Sequence, residues 1–149
     1  MLSAISIYRF AHGLHRRGLS TAARALTTVN RLIFAAHIPA EATIGEACEL
    51  GYGGIGVIVH KDAVIGRDVL LSPGVVIGGR SGIEGAPKIG DSVKIGSGAK
   101  VLGPITVGEG AQIGANAVVI HDVPAGDTVA GVPAKSIRKR SPLKTAAAQ

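Results

Sequence analysis

From Ile38 onward, aliphatic residues recur along the chain with a period of six. A helix cannot keep this period on one face, because six steps of about 100° end near 240°, and a plain strand leaves the accompanying glycines unexplained. The period therefore indicates a structural repeat of six residues. The repeat positions are Ile38, Ile44, Leu50, Val57, Ala63, Val69, Val75, Ile89, Ile95, Val101, Val107, Ile113 and Val119.

Small residues flank these positions. Glycine follows the aliphatic residue in six repeats, and a small or medium apolar residue such as Cys48 often precedes it by two. Each repeat is then one short strand and one corner. We predict a parallel β-helix whose aliphatic residues stack inside, with strands of successive coils about 4.8 Å apart. Cys48 is expected to fill the interior.

Residues 1–37 have a different pattern and are predicted to form two short helices, because apolar residues recur at roughly helical intervals, interrupted by Gly13 and Gly18. We therefore divide the chain into an N-terminal helical segment (1–37), a β-helix (38–123) and a C-terminal extension and tail (124–149). Two breaks interrupt the repeat. One is a seven-residue step from Leu50 to Val57, and the other is a fourteen-residue step from Val75 to Ile89 that inserts a loop at 78–88.

Composition and charge narrow the function. The 149 residues include one cysteine, which excludes an intrachain disulfide and favours the reducing cytoplasm. The net charge is +6, but aromatic residues make up only 3%, which disfavours nucleic-acid binding. Residues 1–40 contain five arginines and no acidic residue. Oligomer contacts, contact with an anionic membrane surface such as the inner face of the membrane, and organelle targeting remain open for this segment.

The segments VKIGSGAKVLGPITVGEGAQIGANAVVI and DVPAGDTVAGVPAK resemble the left-handed β-helix acyltransferases, and most closely their serine acetyltransferase branch. The resemblance covers about residues 38–140. It implies an all-β fold, a left-handed parallel β-helix with a short N-terminal α-helical segment. It also implies acetyl-CoA as the donor and a homotrimer with active sites between subunits.

His60 is the candidate catalytic base. With three hexapeptides per coil, as the resemblance implies, His60 lies beneath Gly78, where the long loop departs. Imidazole is suited to accepting a hydroxyl proton near neutral pH. The same register places Glu41 under His60 as the residue that orients the ring, and Asp62 and Glu84 are rivals for that role. No metal is expected, because only His60 and His121 lie in the coils or at their end.

The chain departs from the family at its two catalytic histidines. In serine acetyltransferases one of them belongs to an LDH run, where this chain has Tyr52 or Gly53, and the other precedes PKI, where it has Ala86. The YGG, IH and GGR runs are similar to short sugar acetyltransferases of surface-polysaccharide synthesis. We therefore favour O-acetylation of a sugar hydroxyl with His60 as the base. The alternatives are serine O-acetylation in cysteine synthesis and a non-catalytic trimeric scaffold.

The remaining site residues follow from the resemblance. The acceptor is expected to contact Tyr52, Arg80 and Glu84. The pantetheine arm of the donor is expected to lie along small residues of the later coils, and its phosphates near basic side chains. The donor residues are Gly98, Ala99, Ala115, Asn116, Lys135 and Arg138, with Lys100 as a further candidate.

Overall fold

The computed structural model describes residues 2–137, which form two helices followed by fourteen short strands. Helix α1 spans Ala4–Arg16 and α2 spans Ser20–Phe34. The strands are β1 Thr43–Ile44, β2 Glu49–Leu50, β3 Ile58–Val59, β4 Val64–Ile65, β5 Leu70–Leu71, β6 Val76–Gly78, β7 Lys88–Ile89, β8 Lys94–Ile95, β9 Lys100–Leu102, β10 Thr106–Val107, β11 Gln112–Ile113, β12 Val118–Val119, β13 Thr128–Ala130 and β14 Lys135–Ser136.

The strands wind into three parallel faces. Face 1 contains β1, β4, β7 and β10; face 2 contains β2, β5, β8, β11 and β13, with β14 antiparallel at its end; face 3 contains β3, β6, β9 and β12. The predicted left-handed parallel β-helix with two N-terminal helices is confirmed. We call the corner between faces 3 and 1 the His60 corner, and the corner between faces 2 and 3 the Tyr52 corner.

The predicted breaks in the repeat are wrong in length. Neighbouring coils are 18 residues apart from Ile58 to Val76 (76 − 58), but 21 apart from Ile44 to Ile65 (65 − 44). From Ile65 to Ile89 they are 24 apart (89 − 65). The insertions therefore add three residues around 51–54 and six within 78–88. The sequence pattern misled because residues 57–77 alternate two buried aliphatic positions per repeat, so a period of six fits either one.

The winding continues beyond residue 123, because β13 pairs in parallel with β11. The chain then folds back through β14. The buried carboxylate of Asp127 accepts hydrogen bonds from the Thr128 N–H (2.8 Å) and the Ser136 hydroxyl (2.9 Å), which tie the two strands together. The last coil is thus closed by the chain itself.

Helix α1 closes the other end of the β-helix. The first coil has carbonyls that no lower coil can satisfy, and an open strand edge invites pairing with other chains. Side chains of α1 occupy these carbonyls. The contacts are Tyr8 Oη to Ala42 O at 2.6 Å, the Arg9 guanidinium to Ile44 O at 2.7 Å and to Gly45 O, and His12 Nδ1 to Ala40 O at 2.7 Å.

Burial has electrostatic consequences at this end. It raises the pKa of the Tyr8 phenol, so the hydroxyl stays a hydrogen-bond donor. It also raises the pKa of the Cys48 thiol, which fills the interior as predicted. Among residues 2–137, no helix is long and apolar enough to cross a membrane.

We predict that Tyr8→Phe lowers the free energy of unfolding by about 1–2 kcal/mol, because the Ala42 carbonyl loses its buried donor. Urea unfolding followed by circular dichroism measures this change. Tyr52→Phe is the matched control, since the Tyr52 side chain is 86% exposed and its hydroxyl is solvated. Equal stability of Tyr8→Phe and wild type would contradict the capping role of α1.

Candidate functional site

His60 follows β3, and the coil above fixes its backbone. Its N–H donates to Ile77 O at 2.7 Å, and the register of β3 with β6 places His60 beneath Gly78, as predicted. The side chain is 33% exposed. Nδ1 accepts a hydrogen bond from the Asp62 N–H at 3.2 Å, and Asp62 Oδ2 lies 3.8 Å from the same nitrogen. The ring is therefore held at Nδ1 by Asp62.

The other edge of the imidazole faces the inserted loop. A Cβ added to Gly79 would lie 3.6 Å from His60 Nε2, so Nε2 points at the base of the loop. The loop turns tightly, with the Ile83 N–H donating to Arg80 O at 3.1 Å. Its returning arm packs upward, since a Cβ on Gly85 would lie 2.7 Å from Pro104 Cβ. The loop is thus held between the coils below and above.

A cavity of about 570 Å³ lies between His60 and this loop. Its charged side chains comprise two cations and two carboxylates, from residues at the corner and in the loop. The arrangement can bind a small molecule that carries both charges next to a reactive group. The lining residues are His60, Lys61, Asp62, Gly79, Arg80, Ser81, Ile83, Glu84 and Gly85.

The structure corrects the position of Glu41. The three extra residues around 51–54 shift the register, so Pro39 is level with His60 and Glu41 with Asp62. Glu41 instead lines a separate cavity that also contains Lys61. Within residues 2–137, the carboxylate found within 4 Å of the His60 ring is that of Asp62. The geometry gives Glu41 no contact through which to orient the ring.

Tyr52 lies at the other end of face 3 from His60, within a short 3₁₀ turn over Gly51–Gly54. Its backbone φ is 51° and its side chain is 86% exposed. A bulky residue in the left-handed region is uncommon and is often found at functional sites. In one chain Tyr52 does not line the His60 cavity.

The predicted donor residues line the Tyr52 corner in the coils above. Exposed Ala115 and Asn116 lie there, and the Asn116 amide oxygen sits against Gly98. Lys100 Nζ donates to Gly98 O at 3.1 Å, and exposed Lys135 begins β14 above them. Arg138 lies outside the described residues.

Ala99 is positioned differently from the other donor residues. Its side chain is fully buried, its N–H donates to Gly96 O, and its carbonyl accepts from the Val76 N–H. It therefore has no free group to offer a ligand.

Sequence reasoning missed two cavity residues, Lys61 and Ser81. Lys61 follows His60 directly, and its position beside the candidate base was the available signal. Ser81 had none, because its contribution depends on the conformation of the loop. Among residues 2–137, no group of three or more His, Cys, Asp or Glu side chains is placed to hold a metal ion.

Comparison with known proteins places the chain in a family. The family model "Bacterial transferase hexapeptide (six repeats)" matches residues 86–121. A serine acetyltransferase of Helicobacter pylori strain J99 is 42% identical over 140 residues, which are 93% of this chain and 81% of that protein. The chain belongs to the serine acetyltransferase family. The Bacillus subtilis serine acetyltransferase is 41% identical and is covered over 63% of its length.

Solved structures of the family agree with this fold. The soybean serine acetyltransferase apoenzyme has a TM-score of 0.85 at 40% identity over 90% of this chain. The Brucella abortus serine acetyltransferase in complex with coenzyme A has a TM-score of 0.86 at 39% identity. The chain spans 56% and 54% of these two structures. The predicted acyltransferase class is therefore confirmed at the level of the family, and the serine alternative is better supported than the sugar acceptor.

We predict that Gly85→Ala loosens the loop, because its backbone φ of +113° is unfavourable for alanine and the new methyl group would contact Pro104. Amide hydrogen exchange across residues 79–86 should become at least about tenfold faster. Gly82→Ala is the control, since its φ is +78° but nothing lies within 4 Å of an added Cβ. If both variants accelerate exchange equally, Pro104 does not hold the loop.

Proposed function

We propose that this chain is an acetyl-CoA-dependent serine O-acetyltransferase with His60 as the general base. The observation that carries the proposal is the cavity in which the His60 ring lies among two cations and two carboxylates. The relatives support the reaction, since those described above are serine acetyltransferases and one was solved with coenzyme A. The single cysteine supports a reducing compartment, and we propose the cytoplasm.

The charges of the cavity favour an amino acid over a sugar. Free serine carries a carboxylate and an ammonium group close to its hydroxyl. Arg80 and Lys61 are suited to the carboxylate, and Glu84 is suited to the ammonium group, because hydrogen bonds between charged groups are the stronger ones. A neutral sugar hydroxyl would leave both charge pairs without a role.

The proposed base requires a particular tautomer of His60. When Nδ1 accepts from the Asp62 N–H, the neutral ring carries its proton on Nε2. If the Asp62 carboxylate moves about 1 Å closer to Nδ1, it can accept the ring proton there. Nε2, which faces the loop, is then free to take the serine proton. We propose Asp62 as the positioning residue for this tautomer.

Acetyl transfer then follows in two steps. The serine oxygen forms a bond to the thioester carbon as its proton passes to His60 Nε2. The carbon–sulfur bond next breaks, and the leaving sulfur takes the proton back from His60. The acetyl group ends on serine as an ester, the coenzyme leaves as a thiol, and His60 returns neutral.

A homotrimer would complete the site. The outer surface of face 3 is apolar, with Ile58 43% exposed, Ile55 55% exposed, and Val76 and Val118 half-buried. We propose that this surface packs against neighbouring copies and brings the Tyr52 corner of one copy to the His60 corner of the next. The donor residues and Tyr52 of one subunit would then face the base of another.

A non-catalytic scaffold is the second candidate. It is favoured by Tyr52 and Ala86, which stand where the family resemblance places catalytic histidines. The two candidates differ in whether acetyl-CoA is consumed.

We predict that His60→Ala lowers kcat for serine at least about 100-fold while acetyl-CoA binding is retained, since only the proton acceptor is removed. Thiol release measures turnover, and calorimetry measures donor binding. His121→Ala is the matched control, because His121 is exposed after β12, three coils further along face 3. Unchanged turnover in His60→Ala would rule out the base. Wild-type binding without turnover on serine or a sugar panel would favour the scaffold.

We predict that Arg80→Gln raises KM for serine about tenfold or more with little change in kcat, because the serine carboxylate loses a charged partner. Arg67→Gln is the control, since Arg67 lies 3.5 Å from Asp91 between faces 1 and 2. The same assay includes amino and deoxy sugars as acceptors. A sugar that is acetylated faster than serine would contradict the proposed acceptor.

A further inference from the structure

The two helices expose apolar side chains that the β-helix does not cover. The exposed fractions are 67% for Phe10, 79% for Leu32, 56% for Ile33 and 38% for Val29. In α2, Val29 and Leu32 are three residues apart and share a stripe with Ala22 and Ala25. This stripe lies away from the buried residues of the helix, Ala23 and Asn30. We call α1, α2 and these exposed side chains the hairpin surface.

The hairpin surface is also strongly basic. Residues 1–40 contain five arginines and no acidic residue. Arg9 is engaged with carbonyls of the first coil. Arg16, Arg17, Arg24 and Arg31 are exposed, and none of them forms an ion pair within residues 2–137.

We propose that the hairpin surface binds an anionic membrane surface. Amphipathic helices that combine exposed aromatic or aliphatic residues with arginine lie in the plane of the lipid interface. Phe10, Leu32 and Ile33 would enter the boundary between headgroups and acyl chains. The arginines would lie at the level of the lipid phosphates, where each cation strengthens attraction to anionic headgroups. The proposal is independent of the acetyl-transfer reaction.

The charges favour a lipid surface over a second copy of the chain. In a two-fold contact the same patch of each subunit faces the other. Two hairpin surfaces would then bring their unpaired arginines together without an acidic residue to neutralise them, and juxtaposed like charges oppose association. An anionic bilayer supplies the opposite charge and covers the apolar side chains together.

The test is co-sedimentation of the full chain with vesicles of phosphatidylcholine containing 30% phosphatidylglycerol, compared with vesicles of phosphatidylcholine alone. We expect binding to the anionic vesicles only, and loss of binding in 0.5 M NaCl. The double variant Arg16→Gln/Arg17→Gln should bind about 25-fold more weakly, at about fivefold for each charge. Phe10→Ser/Leu32→Ser should bind at least about tenfold more weakly.

The control is Lys88→Gln/Lys94→Gln, which removes the same charge from exposed positions on faces 1 and 2. Circular dichroism and acetyl transfer in solution show that each variant is folded, since none of these residues belongs to the proposed active site. No binding by the wild type, or equal loss in the lysine control, would overturn the proposal. A smaller mass of Phe10→Ser/Leu32→Ser in sedimentation analysis, without vesicle binding by the wild type, would assign the surface to a second copy instead.

Discussion

The structure depends on the hydrogen bonds that join each coil to the next. They fix every strand at one height and in one register, so an extra residue cannot be absorbed within a face. Insertions must leave at a corner. The three residues added around 51–54 and the six added within 78–88 both do so, at the two ends of face 3. The candidate site is a consequence of where the coil lets the chain depart.

The same constraint explains why His60 is well placed. Its backbone is bonded to the coil above, and its ring lies between Asp62 and the base of the loop. The loop in turn packs against Pro104 in the third coil of that corner. A side chain held on both edges by rigid neighbours loses little freedom when a substrate binds. This is the physical basis for assigning chemistry to a histidine at a position the family resemblance does not specify.

Much of the fold could be predicted from the sequence, because a period of six admits few structures. The interior position of Cys48 and the stacking of His60 beneath Gly78 followed from that period. The insertion lengths did not, because Val57 and Val59 are both buried and either can continue the series. The error moved Glu41 by two positions and placed it under the wrong residue. The conformation of the loop depends on contacts with Gly79 and Gly85 that no local pattern contains.

The central claim is that the His60 ring presents a free Nε2 to the acceptor when the site is filled. Long-range ¹⁵N–¹H correlation spectra of the histidine rings report the tautomer directly, with His60 assigned by its loss in His60→Ala. In the free protein the account predicts a proton on Nε2, since Nδ1 accepts from the Asp62 N–H. With coenzyme A and serine bound it predicts the proton on Nδ1. A ring that keeps its proton on Nε2 in the complex could not act as the base, and that result would contradict the account.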